Sequence, residues 1–305
     1  RRIGNVSGTG IEAEYDEKSG MLLITSVASD SPAEKSGISA GDFISSVDDE
    51  AVTKENASSL LSLLGGEKLT GTGLSLYKAK EDKTPDKTKP YAVNVAKGFR
   101  NKSVTYSSLG TVGYINISAF YDNTAEKFSE AITALNNSGI TGLIIDVRGN
   151  TSDNLEYAAD VVDLIVPLAS EGTGAIATVK NSSGETIEHF TADAASINLP
   201  IVVLADSKTN GAAELLTCDL RDFGKARIIG ETTAGHGTMQ SVFRLDDGGA
   251  VVLTVGIVYP YISDSYNGKG VAPDEAVKTD VVSSPAKSDY GSDAQLSQAI
   301  AYLSK

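Results

Sequence analysis

Apolar and polar residues alternate in short runs over the first hundred positions, then settle into longer blocks. Ile11-Glu12-Ala13-Glu14-Tyr15 has the period of a strand, and Met21 to Val27 predicts a second. Ser31 to Gly37 predicts a short helix, with Pro32 near its start and Gly37 after its end. Gly41 to Val52 reads as a turn, a strand and a tight turn. A helix is expected from Thr53 to Leu64, capped by Thr53 and stopped by Gly65-Gly66. Strands are expected at Gly73–Tyr77 and Tyr91–Val95. The charged run Glu81 to Pro90, with Pro85 and Pro90, is expected to be an exposed loop between them.

From about residue 104 strands alternate with amphipathic helices. Val112 to Ile117 predicts a strand. Thr124 to Asn136 predicts a helix with Phe128, Ala131, Ile132 and Leu135 on one face. Gly142 to Val147 is nearly all apolar, as in a strand covered on both sides. Asn154 to Ile165 predicts a helix, Pro200 to Ala205 a buried strand, Gly211 to Asp222 a helix and Ala226 to Ile229 a strand. Ala294 to Leu303 predicts a closing helix. The alternation implies an α/β layer architecture. The expected organisation is a β-rich module at 1–98 followed by an α/β core at 99–305, within the reach of 305 residues. The abrupt opening at Arg1-Arg2-Ile3-Gly4 is expected of a trimmed fragment.

Composition narrows the function. Hydrophobic residues make up 41% and charged residues 22%, which suits a packed core. No apolar run has the length of a membrane helix. A formal charge of −14 disfavours nucleic acid and anionic membranes as partners, because phosphate binding needs a concentrated basic face. The single cysteine, Cys218, is expected to be a buried structural thiol. No metal and no cofactor is expected: there is no CxxC, and His189 and His236 lack metal-ligand spacing. His189 reads as a solvated strand residue and Asp246-Asp247-Gly248-Gly249 as a hairpin turn. Asp146 and Arg148 stand at a strand end, where open α/β sheets bind ligands.

Two segments resemble a known family. Ser31-Pro32-Ala33-Glu34-Lys35-Ser36-Gly37-Ile38-Ser39-Ala40-Gly41-Asp42-Phe43-Ile44 is similar to the SPAxxAGIxxGDxI signature of bacterial PDZ modules. Val112 to Phe120, Gly142 to Arg148, Ile201 to Glu214, Ile228 to Gln240 and Gly268 to Asp274 follow in the order found in tail-specific (C-terminal processing) serine peptidases. The resemblance implies a PDZ-like module followed by a peptidase core, which Asp146 and Arg148 stabilise. It also implies that Gly8, Thr9, Gly10 and Ile11 bind a peptide's terminal carboxylate, with the following strand pairing to the peptide.

Active members of that family use a serine and a neutral lysine, the lysine 25 residues after the serine and followed four positions on by an orienting glutamine. The resemblance places the nucleophile at Gly211, in Thr209-Asn210-Gly211-Ala212-Ala213-Glu214, and the base at His236, while Gln240 matches. The family's glycine pair near the oxyanion becomes Ser152-Asp153, and Ala212 would supply the helix-start amide. An inward carboxylate at 153 would repel an oxyanion. The expected function is therefore a catalytically impaired homologue that binds protein C-terminal tails or unstructured peptides. The alternatives are a peptidase using His236 as base, with Ser207, Thr209, Thr238 or Ser241 as relocated nucleophile, and a non-catalytic scaffold. Lys208 and Lys225 are expected to be exposed charges. Restoring the pair by Gly211→Ser with His236→Lys is expected to be the direct test of inactivity. The resemblance also implies a place outside the cytoplasm.

Overall fold

The computed structural model describes residues 8–28, 30–65, 70–99, 102–167, 175–192, 196–244, 250–279 and 291–304. Gly66, the residues Asp246–Gly249 expected to form a turn, and Arg1–Gly4 lie outside them. The described residues form two compact units, divided between Asn101 and Lys102.

The first unit contains β1 (Ile11–Asp16), β2 (Met21–Val27), α1 (Pro32–Lys35), β3 (Phe43–Val47), β4 (Glu50–Ala51), α2 (Ala57–Leu63), β5 (Gly71–Ala79) and β6 (Pro85–Ala96). The sheet runs β1-β2-β3-β5-β6, antiparallel throughout, with β4 on β3. Alternate residues Leu22, Ile24, Ile44, Leu74 and Leu76 pack with Leu60 of α2 and Ala33 of α1 into one core. Ser31 Oγ accepts from Glu34 N at 3.1 Å and starts α1 as its sequence predicts. The start of α2 differs from expectation. Asn56 Oδ1 accepts from Thr53 N and Thr53 Oγ1 accepts from Asn56 N, which fixes a turn, so the helix begins only at Ala57. Glu81 to Pro90 is not all loop either. β6 starts at Pro85 and pairs with β5, because an edge strand needs no N–H from Pro85 or Pro90.

The second unit contains β7 (Val104–Leu109), β8 (Val112–Ile117), α3 (Thr124–Asn137), β9 (Gly142–Asp146), α4 (Leu155–Asp163), β10 (Ala175–Lys180), β11 (Thr186–Thr191), β12 (Ile201–Ala205), α5 (Ala212–Asp222), β13 (Ala226–Gly230), β14 (Thr238–Arg244), β15 (Ala250–Tyr259), β16 (Glu275–Ala276) and α6 (Ala294–Leu303). Its main sheet runs β7-β8-β9-β12-β13-β16; the β7–β8 pair is antiparallel and the rest parallel. Each new parallel strand joins the same edge, so right-handed crossovers place α3, α4 and α5 on one face. Leu143, Ile145 and Val203 meet Phe128, Leu135, Ala158 and Leu216 there. Ile144, Val202, Leu204 and Ile229 point the other way, onto Leu296 and Ala299 of α6. This two-sided burial explains the apolar run in β9.

A second, antiparallel sheet runs β11-β10-β15-β14, and its residues Ile176, Val179 and Val258 join the larger core. The β14–β15 ribbon exposes Val242, Phe243, Val252 and Leu253. Among the described residues no helix is long and apolar enough to cross a membrane.

Candidate active site

The loops leaving the carboxyl ends of β9, β12 and β13 converge, as they do around ligand sites of open parallel sheets. Residues 147–153 follow β9, 206–211 follow β12 and 231–237 follow β13. Asp206 Oδ1 accepts from Gly149 N and Thr209 N and so fastens the first loop to the second. Asn150 adds to this: its carbonyl accepts from Asn210 N at 2.9 Å, and its side chain donates to Ile117 O at 2.9 Å.

Gly211 is the residue at the turn from the second loop into α5. It is buried, with φ 60° and ψ −112°, a conformation that L side chains rarely adopt. Strand-to-helix turns of this strained kind expose the nucleophile in α/β-hydrolases. Here the turn carries no side chain. A Cβ at 211 would lie 2.6 Å from Ser152 O and 3.1 Å from Asp153 Oδ1. The Asp153 carboxylate therefore does face position 211. The direct test by Gly211→Ser with His236→Lys is corrected accordingly: the pair alone does not fit, because the Ser152 carbonyl stands against the new side chain.

Ala212 N, the first amide of α5, donates to that same Ser152 O at 2.8 Å. Ser152 is held in turn, its Oγ accepting from Phe120 N at 2.9 Å and its N donating to Asn150 Oδ1 at 3.0 Å. Gly211, Ala212, Ser152 and Asp153 are thus together, but the amide expected to face an oxyanion is spent on a neighbouring carbonyl.

Glu214, three residues into the helix, holds the third loop. Its fully buried carboxylate accepts from Gly211 N at 3.0 Å, Gly235 N at 2.6 Å, His236 N at 2.7 Å and the Thr233 hydroxyl. Thr233 Oγ1 also accepts from Val271 N at 2.7 Å. Tyr266 donates to Gly211 O at 3.2 Å from full burial, which together with the nearby Glu214 pushes its phenol well above the usual tyrosine range. Glu214, Thr233 and Tyr266 escaped the sequence reading; the spacing of Glu214 from the helix start is that of a capping box and was the available signal.

His236 is exposed, and its Nδ1 lies 2.8 Å from Nδ2 and 3.0 Å from Oδ1 of Asn210, so the Asn210 amide is its partner in either tautomer. Among the described residues no hydroxyl or thiol is hydrogen-bonded to the imidazole. Thr209 Oγ1 is buried and bonded to the backbone of its own turn and to Val147 O, while Ser207 is exposed beside it. Ser241 sits on β14 opposite Leu253. His236 opens onto a cleft of about 780 Å³, lined also by Asp153, Leu155, Phe190, Met239 and Gln240. Thr238, Glu156 and Glu188 share its walls, as does His189, which is exposed on β11 as expected but stands in the same cleft as His236. Among the described residues no group of three or more metal-ligating side chains occurs.

Other candidates are structural. Arg148 clasps Asp146 through Nε and Nη2, at 2.9 and 2.6 Å, and reaches Asp293 and Gln295 through Nη1, at 3.0 and 3.1 Å. Tyr114 closes this buried network on Asp146 at 2.7 Å. Cys218 is buried, and burial pushes its thiol up to about 12. Lys225 is tied to Ser196 and Ile197, while Lys208 is exposed.

In the first unit, Gly8 to Ile11 leads into β1, an edge strand. The Gly8 and Thr9 amides are occupied, by Phe99 O at 3.0 Å and Leu64 O at 2.9 Å. Gly10, at φ 85°, packs against Ser31. Carboxylate capture by all four residues thus needs correction: two of the amides are already committed to the unit's own backbone.

The chain resembles known proteins along most of its length. Residues 23–70 match the model of the PDZ domain, and residues 111–277 match that of peptidase family S41. It is 31% identical over 272 residues to the carboxy-terminal processing protease CtpA of Bacillus subtilis (strain 168), covering 88% of this chain and 56% of that protein. It is 30% identical over 296 residues to the chloroplastic C-terminal processing peptidase of Tetradesmus obliquus, covering 92% and 62%. The chain thus spans rather more than half the length of these relatives. The solved structure of a photosystem II D1 C-terminal processing protease matches with TM-score 0.53 and 27% identity over 89% of this chain and 72% of that one. Because the peptidase model takes in more than half of the chain, including every loop around Gly211, this chain belongs to peptidase family S41.

Proposed function

We propose that the chain binds protein C-terminal tails or unstructured peptides without cleaving them. The carrying observation is Gly211: the turn that would present a nucleophile has only hydrogen atoms on its α-carbon. Acyl transfer needs an oxygen or sulfur there, and among the described residues no hydroxyl or thiol is hydrogen-bonded to the imidazole at 236. The spent amide of Ala212 supports the same reading, since an oxyanion needs donors that are unpaired when it forms. The cleft keeps what binding needs: apolar Leu155, Phe190 and Met239, polar Gln240, and β14 as an edge strand along one wall. Residues 1–98 act in this reading as the tail-binding domain and 99–305 as the retained core, in a protein working outside the cytoplasm.

The test is a pair of assays. No cleavage of a tail peptide or casein is expected, and binding of a C-terminal peptide is expected to weaken at least tenfold on amidation. Turnover by the purified parent chain would sink the proposal. Equal binding of the amide would favour a scaffold. A second reading, a peptidase with His236 as base, draws on the exposed imidazole and Thr238 in one cleft. It requires turnover that disappears in His236→Ala.

A further inference from the structure

One backbone oxygen stands behind two separate obstacles to chemistry in the cleft. Ser152 O accepts the first amide of α5, at 2.8 Å from Ala212 N. The same oxygen lies 2.6 Å from where a Cβ would sit at 211. Real Cβ atoms do not approach a backbone carbonyl that closely, so the carbonyl and a side chain at 211 exclude each other. Nor is the carbonyl free to drift. Ser152 is bonded on both sides, by Oγ to Phe120 N and by N to Asn150 Oδ1. Asn150 is anchored to Ile117 O and Asn210 N. Glycine is also the residue that best tolerates φ 60° at 211.

We infer that residues 150–153 form a built-in plug, with the Ser152 carbonyl seated on the start of α5, and that Gly211 is its required counterpart. The inference rests on the proposed non-cleaving function and deepens it: the silence of the cleft is held by backbone as well as by missing side chains. Neither a hydroxyl at 211 nor an oxyanion at the Ala212 amide can be accommodated until the plug withdraws. Ser152→Gly with Asp153→Gly removes the Oγ anchor and frees the backbone to turn away, so the two sites must be energetically coupled.

The experiment is a thermal double-mutant cycle on the whole chain. Gly211→Ala is expected to lower Tm by roughly 5–10 °C, from the positive φ and the close carbonyl together. In the Ser152→Gly/Asp153→Gly background that drop should shrink by about half, leaving the part due to φ. An equal drop in both backgrounds, or a drop under about 1 °C in the parent, would overturn the inference. Amide exchange supplies a second measurement that needs no variant at 211. Ala212 N–H should be protected in the parent and exchange at least about tenfold faster in the double-glycine variant. Fast exchange in the parent, or unchanged protection in the variant, would overturn it equally. Failure here is separable from failure of the proposed function. Peptide cleavage by the parent would remove that function and leave the coupling standing; additive Tm changes would remove the plug and leave the parent silent.

Discussion

Asp219 sits in α5, fully buried, with Oδ1 accepting from Tyr261 N at 3.0 Å and Oδ2 without a hydrogen-bond partner among the described residues. Burial pushes its carboxyl well above the ordinary value of 3.8. A raised carboxyl favours the folded chain most below its unfolded value, and this contribution is lost as pH rises through the folded one. Asp219→Asn keeps an acceptor for Tyr261 and carries no charge. The variant should therefore melt above the parent at about pH 8, with the gap closing as pH falls toward the unfolded carboxyl value, as followed by Tm against pH. No difference in that pH trend would show that Asp219 ionises without cost. This residue was not legible beforehand, because one acid within a helical run looks like any solvated charge. Gly211, His236 and Gln240 could be singled out from the sequence because their neighbours on both sides follow the family pattern. The direction of Ser152 O was not, since a carbonyl's direction is a property of backbone angles.

At the level of elements, the start of α5 depends on Glu214. Removing its carboxylate strands three backbone amides and a hydroxyl inside the protein. Glu214→Ala should cost about 2–4 kcal/mol in denaturant unfolding, with faster amide exchange at Gly235 and His236. A neutral result would mean that water replaces the carboxylate freely. The helices and central strands were readable from periodicity alone: α3, β9, β12, α5 and α6 fall within a residue or two of expectation. β10, β14 and β15 were not read as strands. Ala250 to Tyr259 is a nearly unbroken apolar run, yet Val252 and Leu253 are exposed, so period gave no inward face to recognise. The Thr53 cap failed because a side chain that can cap a helix can equally close a turn before it.

Across the second unit, Arg148 ties the end of β9 to the start of α6, nearly 150 residues on, through Asp293 at 2.9 Å. Arg148→Ala would leave Asp146 and Asp293 buried without their cation and should cost about 3–5 kcal/mol. Amides of α6 should lose protection before those of β12, measured by hydrogen exchange. The α/β alternation made the layers of this unit legible, but not this clasp, since nothing in the sequence pairs residues so far apart. The order of the main sheet, β7-β8-β9-β12-β13-β16, is also the order of synthesis. A chain leaving the ribosome can therefore lay each strand beside the one before it. At no stage must a late strand be threaded between two that are already joined, and the last helix shuts the open back only when every strand it covers is in place.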